Sequence, residues 1–217
     1  MLANFATIRL RDKNIVDLGC GNGVIPLILS LRTDKFITGV EIQEQLADMA
    51  VRSIEYNKLS DQIRIVNEDM KSFVTDETHE KYDLITCNPP YFKYQDDSLV
   101  NENEILTIAR HEVKLKLEEI FVNAKYLLKN GGTLAMVHRP DRMIEIINIM
   151  QKYGFEPKKM RLVYPKVGRD ANILLIEGVK NGKSGLKVLS PLYTHNNDGS
   201  YVEEIRKMFG GNEDVAK

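Results

Sequence analysis

The segment "CNPPY" closes the apolar run "YDLIT", and it brings Asn88, Pro89, Pro90 and Tyr91 together at one corner. Two consecutive prolines fix two φ angles and remove two N–H donors, so the segment neither extends a strand nor opens a regular helix. An ordinary turn is made with Gly, Asn or Asp, whose φ is freer. A stiff corner makes sense where hydrogen-bond acceptors must be aimed. Asn88 supplies a side-chain oxygen and Pro89 a backbone carbonyl, while Pro90 stiffens the pair. Such acceptors suit an amino group conjugated to a ring, which is a poor nucleophile because its lone pair is delocalised. Aimed at its two N–H bonds, they favour a pyramidal nitrogen with the lone pair turned toward an electrophile. Tyr91 adds a ring on which a planar, extruded base can stack.

A second constellation lies in "VDLGCGNGVIP", where Gly19, Gly21 and Gly23 follow an apolar run. Glycines at this position let the backbone turn tightly and approach a ligand. The dinucleotide fingerprint GxGxxG fails at its last position, which is Val24. Asp17 precedes the loop; a carboxylate there opposes a pyrophosphate and suits a ligand with an ammonium group. S-adenosylmethionine has that group and no phosphate. Glu41 ends the next apolar run about twenty residues on, where a carboxylate accepts from both ribose hydroxyls. Asp69 ends the third run in "NEDM", within reach of an adenine amino group. Any one of these acids alone is an ordinary residue at a strand end. Three in register with a glycine loop point to a methyltransferase.

These residues need strands that end together. "NIVDLG" (14–19), "FITGVEI" (36–42), "QIRIVNED" (62–69), "YDLITC" (82–87) and "TLAMVH" (133–138) read as strands. Between them lie the helix patterns "VIPLILSLR" (24–32), "EQLADMAVRSIEYNK" (44–58) and "LKLEEIFVNAKYLL" (115–128), the last stopped by "KNGG". In the second of these, Leu46, Met49, Ala50 and Ile54 fall on one face at helical spacing. "PDRMIEIINIMQKYG" (140–154) opens on a proline and ends on a glycine, as helices do. Apolar strands alternating with helices imply a parallel sheet covered on both faces. "KKMRLVYP" and "ANILLIEGVK" follow with no helix between them, so they should pair antiparallel. The expected fold is α/β and Rossmann-like: one domain over 1–217, with a seven-stranded, mostly parallel sheet and an antiparallel C-terminal hairpin.

Composition narrows the setting. The 217 residues carry 43% hydrophobic and 28% charged side chains and a net charge of −1. No apolar run approaches the roughly 18–20 residues of a membrane span, and "MLANFATIRLRDK" lacks the long apolar stretch of a signal peptide. A cytoplasmic protein without a membrane partner is expected. The two cysteines, Cys20 and Cys87, form no CxxC pair, and the four histidines show no ligand spacing, so no metal is expected. A net charge near zero excludes a general nucleic-acid coat. One stretch is locally basic: Lys158, Lys159, Arg161, Lys166, Arg169, Lys180, Lys183 and Lys187 stand against Asp170 and Glu177. It reads either as a solvated face or as a phosphate-binding surface.

With these motifs assembled, the chain resembles the bacterial tRNA1(Val) (adenine(37)-N6)-methyltransferases, within the class I adenine N6-methyltransferases. "DLGCGNG", "NPPYF", "ARHE" (109–112) and the tail "PLYTHNNDGSYVEEI" (191–205) carry the resemblance, which covers essentially the whole chain. The glycine loop marks only the superfamily, "NPPY" marks methylation of an amino or amide nitrogen, and the tail narrows the match to tRNA. The resemblance implies methyl transfer from S-adenosylmethionine to N6 of an adenine in tRNA beside the anticodon, by a monomer. It implies that Asp17, Gly19, Gly21, Glu41, Asp69 and Met70 hold the cofactor and that Asn88, Pro89, Pro90 and Tyr91 hold the adenine. Lys158, Lys159, Arg161, Lys166 and Arg169 would face the anticodon stem-loop. Members of the family carry a further segment ending in something like "AVLLANF"; this chain starts at "MLANF" and is expected to lack it.

Two other readings share part of the pattern. A glutamine methyltransferase of the release-factor type uses the same "NPPY" corner, because an amide nitrogen poses the same problem. It ordinarily brings a separate helical domain and has no use for a basic hairpin. A catalytically weakened RNA-binding module is the other, and cofactor affinity separates it from an enzyme.

Overall fold

The computed structural model describes residues 1–89 and 117–210. Nine strands form one sheet in the order β3-β2-β1-β4-β5-β7-β6-β8, with β9 also alongside β6. They are β1 (Asn14–Leu18), β2 (Phe36–Glu41), β3 (Ile63–Asn67), β4 (Tyr82–Cys87), β5 (Leu128–His138), β6 (Phe155–Tyr164), β7 (Ile173–Lys180), β8 (Lys187–Val188) and β9 (Leu192–Tyr193). The pairs β1–β2, β2–β3, β1–β4 and β4–β5 are parallel. β7 runs antiparallel to both β5 and β6, so β6 points the same way as β1 to β5.

The expected α/β sheet is therefore present, with two refinements. Seven strands make up its body, and β8 and β9 add two-residue segments that pair parallel to β6. Two residues are too few for an alternating pattern, so only their pairing reveals them. In the C-terminal hairpin just β7 is reversed.

The helices are α1 (Leu2–Phe5), α2 (Val24–Ser30), α3 (Glu44–Tyr56), α4 (Met70–Phe73), α5 (Leu117–Leu127), α6 (Met143–Lys152, after a 3-10 turn at Pro140–Arg142) and α7 (Glu203–Met208). Both faces of the sheet are covered because the central strands are apolar on both sides. Val16, Leu18, Ile85 and Met136 pack with Ile120 and Phe121 of α5 and Ile146 of α6. Ile15, Ile37, Leu84 and Leu175 pack on the other face with Phe5, Leu29 of α2, Ile54 of α3 and Ile205 of α7. Full burial of a side chain such as Phe121 stabilises by about 1.5–3 kcal/mol.

The buried stripe of α3 differs from the expected one. Ala47, Ala50 and Ile54 face inward, while Met49 is 44% exposed. Ala50 stays on the expected face, where it meets the neighbouring glycine loop. A Cβ built on Gly23 would lie 3.1 Å from the Cβ of Ala50, so a small residue must face the loop for helix and loop to close.

Candidate active site

β1 lies between β2 and β4, and the three strands end together. Leu18 is in register with Val40 on one side and with Cys87 on the other. The next residues along each strand are Gly19, Glu41 and Asn88. Asp17, Gly19, Gly21, Glu41, Asn88 and Pro89 are thereby brought to one edge of the sheet. This is where open α/β sheets bind ligands, outside the carboxyl ends of strands that diverge to either side.

The loop leaves β1 by hydrogen bonds from the N–H groups of Gly19 and Cys20 to the carbonyl of Val40, at 2.9 and 3.0 Å. Gly21 (φ 55°) and Gly23 (φ 84°) both lie in the left-handed region, which an L side chain rarely adopts. A Cβ on Gly21 would meet nothing within 4 Å, so the loop faces open space there. It is shaped to let something approach its backbone.

Glu41 is buried, and both carboxylate oxygens receive backbone donors. Oε2 accepts from Gly21 N–H at 2.8 Å and Oε1 from Gln43 N–H at 2.9 Å. Asn67 donates to the Glu41 carbonyl at 2.8 Å, tying β3 to the same point. The carboxylate thus braces the glycine loop as well as facing the cleft, a role the sequence does not reveal. Each oxygen keeps a second lone pair for a ligand hydroxyl.

Asp17 is fully buried. Its Oδ1 accepts from Thr86 Oγ at 2.6 Å, and its Oδ2 has no partner among the described residues. Burial pushes its pKa up to about 7; the Thr86 hydrogen bond works against the rise, and the nearby Glu41 carboxylate adds to it. The thiols of Cys20 and Cys87 are pushed up chiefly by burial and secondarily by Asp17. A buried carboxylate with an orphaned oxygen, beside a second carboxylate, fits a cationic group and repels a phosphate. Thr86 was invisible to pattern reading because a threonine inside "YDLITC" looks like any strand residue.

The other expected site residues divide. Asp69 caps α4, its Oδ1 accepting from Lys71 N–H at 2.9 Å, and the Met70 side chain is committed to the core. Asn88 is exposed at the mouth and Pro89 is buried behind it. Pro90 and Tyr91 lie outside the described residues, as does "ARHE". Among the described residues no group of three or more His, Cys, Asp or Glu is placed to hold a metal ion, and no helix is long and apolar enough to cross a membrane.

The five basic residues assigned to RNA also divide, because alternate residues of a strand face opposite ways. Lys159 donates to the Phe5 carbonyl at 2.7 Å and to Thr7 Oγ, pairs with Glu177 at 3.1 Å and lies over the Phe5 ring. Arg161 donates to the Ser190 carbonyl and holds both oxygens of Glu204. Their side chains are only 20% and 16% exposed. These two cations fasten the N-terminal segment and α7 to the sheet and have little left to offer a phosphate. Lys158 reaches the carbonyls of Lys183 and Ser184 from an exposed position. Lys166 and Arg169 stand on the β6–β7 turn without a protein partner among the described residues.

A family model described as the methyltransferase small domain matches residues 1–154. The chain belongs to that family. Its matched portion runs from α1 to the end of α6 and so includes the glycine loop, Glu41, Asp69 and Asn88. Curated relatives extend the likeness into the last hairpin. A Bacteroides fragilis protein named tRNA1(Val) (adenine(37)-N6)-methyltransferase is 28% identical over 200 residues, covering 91% of this chain and 83% of its own. A protein of the same name from Aliivibrio salmonicida is 26% identical over 178 residues, covering 82% and 73%. The solved structure of a predicted O-methyltransferase from Agrobacterium tumefaciens superposes with a TM-score of 0.73 at 22% identity, covering 97% of this methyltransferase chain and 94% of the other. The geranyl diphosphate C-methyltransferase of Streptomyces coelicolor superposes with a TM-score of 0.58 at 15% identity, covering 78% and 71%. At these identities the two solved structures speak for the fold alone.

Proposed function

We propose that this methyltransferase carries a methyl group from S-adenosylmethionine to N6 of an adenine in tRNA, beside the anticodon. One observation carries the proposal. The carboxylate oxygen of Asp17 that has no partner among the described residues lies just before a left-handed glycine loop, on a strand that ends beside Asn88 and Pro89. The cofactor supplies the electrophilic methyl group. Asp17 balances the charge of its ammonium end, Glu41 accepts from the ribose hydroxyls, and Gly21 gives its backbone room. Asp69 accepts from the adenine end through the oxygen that α4 does not use. The curated relatives' shared name supplies the acceptor.

On the acceptor side Asn88 and the Pro89 carbonyl take the two N–H bonds of the target amine and direct its lone pair toward the methyl group. Pro90 stiffens the corner and Tyr91 stacks on the base. No base need remove a proton beforehand, because the methylated amine is acidic and loses its proton afterwards. The exposed position of Asn88 agrees with a base delivered from outside.

We further propose that 1–217 act as one domain, since a single sheet runs through all the described residues. Labelled methyl transfer offered in parallel to unmodified tRNA transcripts and to a release factor tests the acceptor. Label in RNA is expected; label in the protein alone would overturn the proposal in favour of glutamine methylation.

A further inference from the structure

A second cleft lies away from the glycine loop, at the carboxyl end of β6. It has a volume of about 500 Å³ and is lined by Lys166, Arg169, Asp170, His195, Asn196 and Gly199. Its walls are the β6–β7 turn and the segment after β9. They are tied together at Pro165, whose carbonyl accepts from His195 N–H at 3.0 Å and from Thr194 Oγ at 2.9 Å. The turn is closed by Arg169 N–H on the Lys166 carbonyl at 3.2 Å, so the two cations stand at its two ends. On the opposite wall, the His195 ring lies 4.6 Å from that of Tyr201, tilted to it by 31°. Its Nδ1 is 2.8 Å from Thr194 Oγ, and its Nε2 has no protein partner among the described residues.

Both cations differ from three other basic residues of the hairpin. Lys159, Arg161 and Lys180 are each held by a carboxylate within the protein. Lys166 and Arg169 are not, and they outnumber the one carboxylate of the cleft, Asp170. Position adds a further constraint. β6 runs parallel to β4, so its carboxyl end opens on the same edge of the sheet as Asn88. Between them stand β5 and β7, a lateral separation of three strand spacings or about 14 Å. A few extended nucleotides span that distance.

We propose that this cleft holds one nucleotide of the RNA strand that presents the target adenine. Its phosphate sits between Lys166 and Arg169, and the polar edge of its base or sugar meets His195 Nε2 and the Asn196 amide. The cleft would fix which adenine reaches Asn88 by holding a neighbour at a set distance. The inference rests on the RNA reading above.

The test uses the full chain and an unmodified tRNA transcript. RNA affinity against salt, cofactor affinity, KM and kcat are measured for wild type, Lys166→Ala/Arg169→Ala, His195→Phe and a control, Lys58→Ala/Lys125→Ala. The control cations are exposed and follow or end helices that return to the opposite, amino edge of the sheet. The log–log salt slope should shrink by about 0.7 in the double cleft variant, the contribution of one single-strand phosphate contact. KM for RNA should rise about a few-fold while kcat and cofactor affinity hold, since one neutralised phosphate contact is worth roughly that much at moderate salt. His195→Phe keeps the ring against Tyr201 and should weaken RNA binding several-fold with the slope unchanged. Wild-type RNA binding with an unaltered slope in the double variant, or an equal loss in the control, would overturn the cleft and leave the RNA reading standing. No binding of RNA by the wild type would overturn both.

Discussion

Replacing Asp17 with asparagine should stabilise the free protein at neutral and alkaline pH while weakening its hold on the cofactor. The side chain keeps its shape, and the new amide oxygen still accepts from Thr86. What disappears is a buried negative charge. Folding raises the Asp17 pKa from 3.8 to about 7, so between those values the native state keeps a proton that the unfolded chain has lost. Wild-type stability therefore falls as pH rises from about 4 to about 7 and levels off beyond. A shift of roughly three units corresponds to about 4 kcal/mol at full effect, an upper bound for a site that relaxes. Asp17→Asn removes this slope, so urea unfolding should show the variant equal to wild type near pH 4 and more stable by as much as a few kcal/mol at pH 8. Calorimetry with S-adenosylmethionine should show at least tenfold weaker binding in the variant. In the wild type, binding near pH 6 should release a proton, seen as an enthalpy that depends on the buffer. A variant less stable than wild type at pH 8 would mean the carboxylate is already compensated. Unchanged cofactor affinity would mean that it does not face the ammonium group.

Three further outcomes follow from the geometry. Glu41→Ala removes ribose acceptors and the brace on Gly21, so cofactor affinity measured by calorimetry should fall about ten- to hundredfold; lost hydrogen bonds to a charged group cost about 1.5–3 kcal/mol each. Asn88→Ala should lower kcat by about 10²–10³ with cofactor affinity nearly constant, the scale of one aimed transition-state hydrogen bond; turnover within a few-fold of wild type would reduce "NPPY" to a turn. Lys159→Ala takes the ion-pair partner from the buried carboxylate of Glu177, which keeps the Thr7 N–H, and should cost up to about 3 kcal/mol in chemical denaturation. Its RNA affinity at a temperature where it is folded should match wild type, and a large selective loss of RNA binding would return Lys159 to the RNA surface.

The sheet was legible because β1 to β7 carry long apolar or alternating runs with glycines and helix patterns at their ends. The cofactor loop was legible because left-handed turns need glycine. Three kinds of feature were not. Two-residue strands and four-residue helices such as α1 and α4 are shorter than the periods that reveal them. On α3 the small Ala47 is buried and Met49 exposed, a choice between neighbouring positions that apolar spacing alone did not make. Charge was the most misleading signal. Lys159 and Arg161 look identical to Lys166 and Arg169 in a row of letters, yet one pair is consumed by Glu177 and Glu204 and the other meets no carboxylate among the described residues. Thr86, the sole hydrogen-bond partner of a buried Asp17 among the described residues, gave no sign at all.

Adenine N6-methylation of tRNA is tested by incubating this chain with isotopically labelled S-adenosylmethionine and total tRNA from a strain lacking the gene. The tRNA is then digested to nucleosides and resolved by mass spectrometry. Labelled N6-methyladenosine, abolished by Asn88→Ala and by Asp17→Asn at limiting cofactor, is the predicted result. Label on another nucleoside, or none in RNA from a protein that binds the cofactor, would contradict it.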